Sequence, residues 1–183
     1  MNGPIETRPA YELRAPSTGR LEGYAAVFNA MSRDLGGFTE SIQPGAFTRS
    51  LADADNVMAL YEHEQKSVLG RVGSGTLRLR EDQRGLFFEV DLPPTQVARD
   101  LTALIERRDI TGASFAFSVP KGGDYWSEVN GKAHRNLIDV TLHEITVTSN
   151  PAYVDTSVAR RHLQHVYVPV RLRNAQRFME TLS

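Results

Sequence analysis

A chain of 183 residues with 40% apolar and 23% charged side chains has the length of one folded domain and the composition of a globular protein, which excludes disordered, collagen-like and disulfide-stapled classes. With 21 basic and 22 acidic side chains the net charge is −1, so no global field draws the chain to nucleic acid or to an anionic membrane. The absence of cysteine removes disulfides, thiolate metal sites and a cysteine nucleophile, and leaves Ser, Thr, Lys or a carboxylate for any covalent catalysis.

No run of apolar residues is long enough to span a membrane. The opening residues, Met1 to Arg8, lack the apolar stretch of a secretory signal, so the expected location is the cytosol. Leu21 to Phe28 reads as a strand that enters a loop, Asn29 to Phe38, with the turn-forming pair Gly36-Gly37. Pro44 to Leu51 has the form of a short helix with proline in its first turn. Val57 to His63 is a short apolar strand ending in charge. Leu77 to Leu92 alternates on both sides of a polar turn containing Gly85, the pattern of a hairpin.

After Pro93-Pro94-Thr95, residues Val97, Leu101, Leu104 and Ile105 recur at helical spacing and predict one good helix. Ala113 to Val119 alternates as a strand, with Phe115, Phe117 and Val119 on one face and Ser114, Ala116 and Ser118 on the other. Asn130-Gly131 is a hairpin turn between Asp124–Val129 and a long extended run, Ala133 to Thr148. Asp155 to Val166 has helical character. These elements together make a β-rich α+β domain.

Among the five histidines, His162 and His165 lack the spacing or the third ligand of a metal pair and read as solvated. His134, just after the hairpin turn, reads as exposed. His63 ends an apolar strand between Glu62 and Glu64, where an imidazole can be held rigidly toward a cleft, or can simply lie among surface charges. Ser114 sits on a strand face of small residues, which either leaves room for another backbone to approach its hydroxyl or merely packs beneath a helix. Glu144 shares a predicted face with Leu142 and Thr146; buried there it needs a partner, either an arginine or a catalytic histidine. No phosphate-binding, dinucleotide-binding, zinc-protease or calcium-loop motif occurs, so neither cofactor nor metal is expected.

Five segments in order carry a resemblance: Gly23 to Phe28, Phe38 to Phe47, Ala59 to Glu64 with Leu69 to Arg71, Gly112 to Phe117, and Leu142 to Tyr153. Together they resemble the prohead, or procapsid-maturation, serine proteases of tailed bacteriophages. That resemblance implies the fold of the related herpesvirus assembly proteases, a small, mostly antiparallel β-barrel surrounded by helices. It divides the chain into an N-terminal flank (1–14), a protease domain (15–160) and a C-terminal tail or docking segment (161–183).

The implied activity is a serine endopeptidase that cuts the scaffolding portion of the major capsid precursor, and itself, inside the immature prohead in the host bacterial cytoplasm. The implied partners are that precursor and its scaffolding segment, with self-association as in the herpesvirus enzymes, and with no nucleic acid or membrane. The positions of His63 and Ser114 match the family's catalytic histidine and serine. Glu144 falls in the column of the third member, with the adjacent His143 as the alternative, since herpesvirus relatives use a second histidine. By analogy, backbone amides within Ser149 to Ala152 would form the oxyanion hole. The competing reading is a non-catalytic capsid-assembly or scaffold-binding module on the same fold.

Overall fold

Between Gly112 and Ser118 the chain carries no charge and alternates phenylalanine with small residues, the pattern of a strand buried on both faces. The computed structural model, which describes residues 3–17 and 19–149, places this strand inside an eight-stranded sheet with every residue buried. In chain order the elements are β1 (Glu6–Ser17), β2 (Arg20–Val27), β3 (Phe38–Ile42), α1 (Thr48–Leu51), β4 (Met58–Tyr61) and β5 (Glu64–Arg71). They continue with β6 (Leu77–Glu81), β7 (Gly85–Asp91), α2 (Gln96–Glu106), β8 (Gly112–Ser118), β9 (Asp124–Val129), β10 (Lys132–Leu137) and β11 (Thr141–Thr148).

The large sheet runs β5-β4-β11-β8-β1-β2-β7-β6, and a second sheet of three strands runs β3-β10-β9. Strand β1 joins two halves of the large sheet, pairing with β8 through Glu6 to Ala10 and with β2 through Tyr11 to Ser17. Most neighbours are antiparallel; β4 with β11 and β3 with β10 are parallel.

Phe115 and Phe117 stack on each other, and Phe47, at the start of α1, meets Phe115 edge-on and Phe28 face-on. Leu101 and Ile105 of α2 enter the same apolar cluster. Their spacing made the helix legible, and Thr95 caps it by accepting from the Ala98 amide.

The β-rich α+β class stands, but the closed barrel surrounded by helices does not. Among the described residues no ladder joins β5 to β6, and the helices are the single turn of α1 and the three turns of α2. The apolar cluster instead takes in Ile42 of β3, Leu137 of β10 and Leu101 and Ile105 of α2 beside the residues of the large sheet. Two local expectations also change. The run Ala133 to Thr148 breaks at Ile138 to Val140 into β10 and β11, which belong to different sheets. The helix expected from Pro44 begins only at Thr48, after a turn.

The expected N-terminal flank contributes β1 from Glu6 onward, and a buried ion network fixes it there. Arg8 bonds Glu6 at 2.7 Å and Glu40 at 2.8 Å. Arg135 bonds Glu6 at 3.0 Å, Glu40 at 3.2 Å and Asp124 at 2.6 Å. Residues from β1, β3, β9 and β10 thus neutralise one another between the two sheets. The helical segment expected at Asp155 to Val166, with His162 and His165, lies outside the described residues, as does the tail 161–183.

Candidate active site

Strand β4 ends at Tyr61, which pairs with Glu64 at the start of β5, so Glu62 and His63 form a two-residue hairpin turn. Both have positive φ, 52° and 57°, as the favoured tight hairpin turn requires. The turn is tied to the end of β11. The Glu62 amide donates to the Val147 carbonyl (3.0 Å), and its carboxylate accepts from the Thr148 hydroxyl (2.7 Å) and the Ser149 amide (2.8 Å). Burial opposes the charged form of Glu62, but those two donors and the neighbouring His63 outweigh it and hold the carboxyl below its ordinary value.

The imidazole of His63 turns back over the sheet, and its Nδ1 lies 2.6 Å from Oε1 of Glu144 on β11. A carboxylate can only accept, so Nδ1 carries the proton and Nε2 is left as an acceptor. The His63 side chain is 38% exposed and that of Glu144 18%, an arrangement with one wet end and one anchored end. The hydroxyl of Thr146 also donates to Glu144 Oε1, at 3.1 Å.

Ser114 lies opposite Thr146 in the β8–β11 ladder, and Ala116 lies opposite Glu144. Cross-strand partners share a face, so Ser114 is on the face that carries Thr146, Glu144 and the His63 imidazole. Ser114 is fully buried (0% exposed), and its Oγ donates to the backbone carbonyl of Arg8 on β1 at 3.0 Å. The fold therefore brings His63 and Glu144 into contact and sets Ser114 one strand away on the same face, with its hydroxyl on β1.

Plain alternation fails at His143. The β8–β11 register shifts between Leu142 and Glu144, so His143 is the extra residue of a bulge. Leu142 pairs with Phe117 and faces the core, whereas alternation placed it with Glu144. His143 reaches Oγ of Ser118 at 2.9 Å through Nε2, away from His63.

His134, expected exposed, is buried at 5% exposure, with its nitrogens on the hydroxyls of Thr39 (2.7 Å) and Ser41 (2.9 Å). Its burial follows from the parallel pairing of β10 with β3, a contact that the local sequence around the hairpin does not announce. Thr148 and the Arg8 carbonyl were missed for the same reason: their partners, Glu62 and Ser114, are distant in the chain. Thr146 was seen to share a face with Glu144, but not that its hydroxyl bonds the carboxylate two residues before it on β11. Of the amides offered for an oxyanion hole, that of Ser149 is already donated to Glu62, and Asn150 to Ala152 lie outside the described residues.

Among the described residues, no group of three or more His, Asp or Glu side chains could hold a metal ion, and no helix is long and apolar enough to cross a membrane.

Comparison with known proteins gives a family and a fold. The family model for the Caudovirus prohead serine protease matches residues 9–168. Among solved structures, the bacteriophage T4 capsid assembly protease, gp21, is similar with a TM-score of 0.51 at 11% identity, covering 79% of this chain and 95% of that one. That likeness is one of fold. No curated protein matches the sequence.

Proposed function

The chain belongs to the Caudovirus prohead serine protease family and is a serine peptidase of phage capsid maturation, and from that premise we propose that Ser114, His63 and Glu144 are its catalytic triad. The observation that carries this reading is the 2.6 Å bond from His63 Nδ1 to Glu144, on the sheet face that also bears Ser114. With Nδ1 protonated, Nε2 is the free base that a serine nucleophile needs.

In the reaction, the Ser114 hydroxyl leaves the Arg8 carbonyl by rotation about its side-chain bond and turns toward Nε2. As Oγ attacks the scissile carbonyl, its proton passes to Nε2, and Glu144 stabilises the imidazolium that forms. The imidazolium then protonates the leaving amine as the peptide C–N bond breaks. Water, with His63 again as base, hydrolyses the Ser114 ester and regenerates the enzyme. The substrate is the scaffolding portion of the major capsid precursor, and the chain itself, cut inside the immature prohead in the host cytoplasm.

Glu144 is preferred to His143 as third member because His143 points its Nε2 at Ser118. The test is cleavage of purified capsid precursor by the full chain. Ser114→Ala abolishes processing on this reading, and unchanged processing would remove serine as nucleophile. Glu144→Gln lowers the rate by roughly 10³- to 10⁴-fold, the scale seen when the acid of such a triad is made neutral, while His143→Ala keeps most of it. The reverse ranking would transfer the role to His143.

A further inference from the structure

Thr146 is fully buried in the middle of β11, and its hydroxyl is committed to Glu144 Oε1, the same oxygen that accepts from His63 Nδ1. We propose that Thr146 is a positioning residue of this protease, one that fixes the Glu144 carboxylate for His63 and acts on the reaction only through it. The proposal rests on the triad assigned above.

Three observations carry it. Thr146 pairs with Ser114 across the β8–β11 ladder, which places it between the serine and the His63–Glu144 pair, with neighbouring Cβ atoms about 5 Å apart. The bulge at His143 leaves the backbone irregular immediately before Glu144, so ladder geometry alone does not fix the direction of that carboxylate. The Thr146 hydroxyl comes from the regular part of the strand beyond the bulge and supplies the missing constraint. Its β-branched side chain has few rotamers, which lets one hydroxyl hold its direction at low entropic cost. In catalysis a carboxylate that swings away leaves Nδ1 without its acceptor, and the imidazole then loses the tautomer that makes Nε2 a base.

A fluorophosphonate probe tests this without a known cleavage sequence. Ser114 Oγ forms a bond to phosphorus as the P–F bond breaks, fluoride leaves, and the hydroxyl proton passes to His63 Nε2. The labelling rate splits into a binding constant and a maximal rate, measured on the full chain by intact mass. Thr146→Val keeps the shape and removes the donor, and is expected to lower the maximal rate roughly tenfold, the effect of one lost charge-assisted hydrogen bond. Its probe affinity and melting temperature stay near wild type. Thr146→Ser, which keeps the hydroxyl, restores most of the rate. The downfield proton signal of His63 Nδ1 shifts in the valine variant and returns in the serine variant, which a merely structural threonine would not cause.

A valine variant with the wild-type rate and an unshifted signal overturns the proposal while leaving the triad intact. Labelling of Ser114→Ala at the wild-type rate, or no labelling of the wild type, overturns the triad itself. Should the valine variant fail to fold, Thr146→Ala, which removes the donor with less bulk, decides between the same outcomes.

Discussion

A tight hairpin turn with two positive φ values ordinarily carries Asn-Gly, as at Asn130-Gly131, yet Glu62 and His63 occupy the one beside the candidate site. Non-glycine residues held in this region cost about 1–3 kcal/mol each, and such strain clusters where a function needs it. His63→Gly relieves that cost but gives the unfolded chain more freedom, worth about 0.4–1 kcal/mol. The expected outcome is a urea midpoint near or above wild type together with loss of at least about 10³-fold in precursor cleavage. Loss of fold and activity together would make His63 a structural residue. The patterns around His63, Ser114 and Glu144 left a structural reading open for each, because their neighbours across the sheet are not local, and the resemblance to the prohead proteases is what singled them out. His134 was misread because its hydroxyl partners lie on β3, and no local pattern reports them.

At the scale of elements, the strongest constraint on the site is the docking of β1 beside β8, whose Arg8 carbonyl receives the Ser114 hydroxyl. The ion network of Glu6, Arg8, Glu40, Arg135 and Asp124 fixes that strand against the small sheet. Arg135→Met leaves buried carboxylates short of positive charge and should cost about 3–5 kcal/mol in denaturant unfolding. A cost under about 1 kcal/mol would show that the network relaxes without it. The network also sets a pH dependence. Burial disfavours the charged form of Glu6, but Arg135 and Arg8 overcome it and hold the carboxyl below its ordinary value. A carboxyl depressed by folding contributes stability above its unfolded pKa and loses it as pH falls through the folded one. Unfolding followed between neutral and acid pH should therefore show a shallower loss in Glu6→Gln than in wild type. The hairpins β6–β7 and β9–β10 and the helix α2 were legible because their signals are local. Strand β1 was not: prolines at positions 9 and 16 interrupt its pattern, and its partners are on β2 and on distant β8. The His143 bulge was equally hidden, since an inserted residue leaves no mark in alternation.

Across the whole molecule, the expected flank 1–14 contains most of β1, the strand that joins the two halves of the large sheet. Removing residues 1–14 should therefore abolish cooperative thermal unfolding, whereas a true flank would leave the melting curve unchanged. The β1–β8 and β3–β10 pairings link distant parts of the chain, a topology that sequence patterns constrain weakly and that folds slowly. The same topology produces three serine–histidine neighbourhoods among the described residues. Ser41 bonds His134, Ser118 bonds His143, and Ser114 shares a face with His63 and Glu144. On the triad proposed above, only the last of these is catalytic. Peptide mapping of the full chain after reaction with a fluorophosphonate probe separates the three: the label is expected on Ser114, dependent on His63, and label on Ser41 or Ser118 with Ser114 unmodified would overturn the triad.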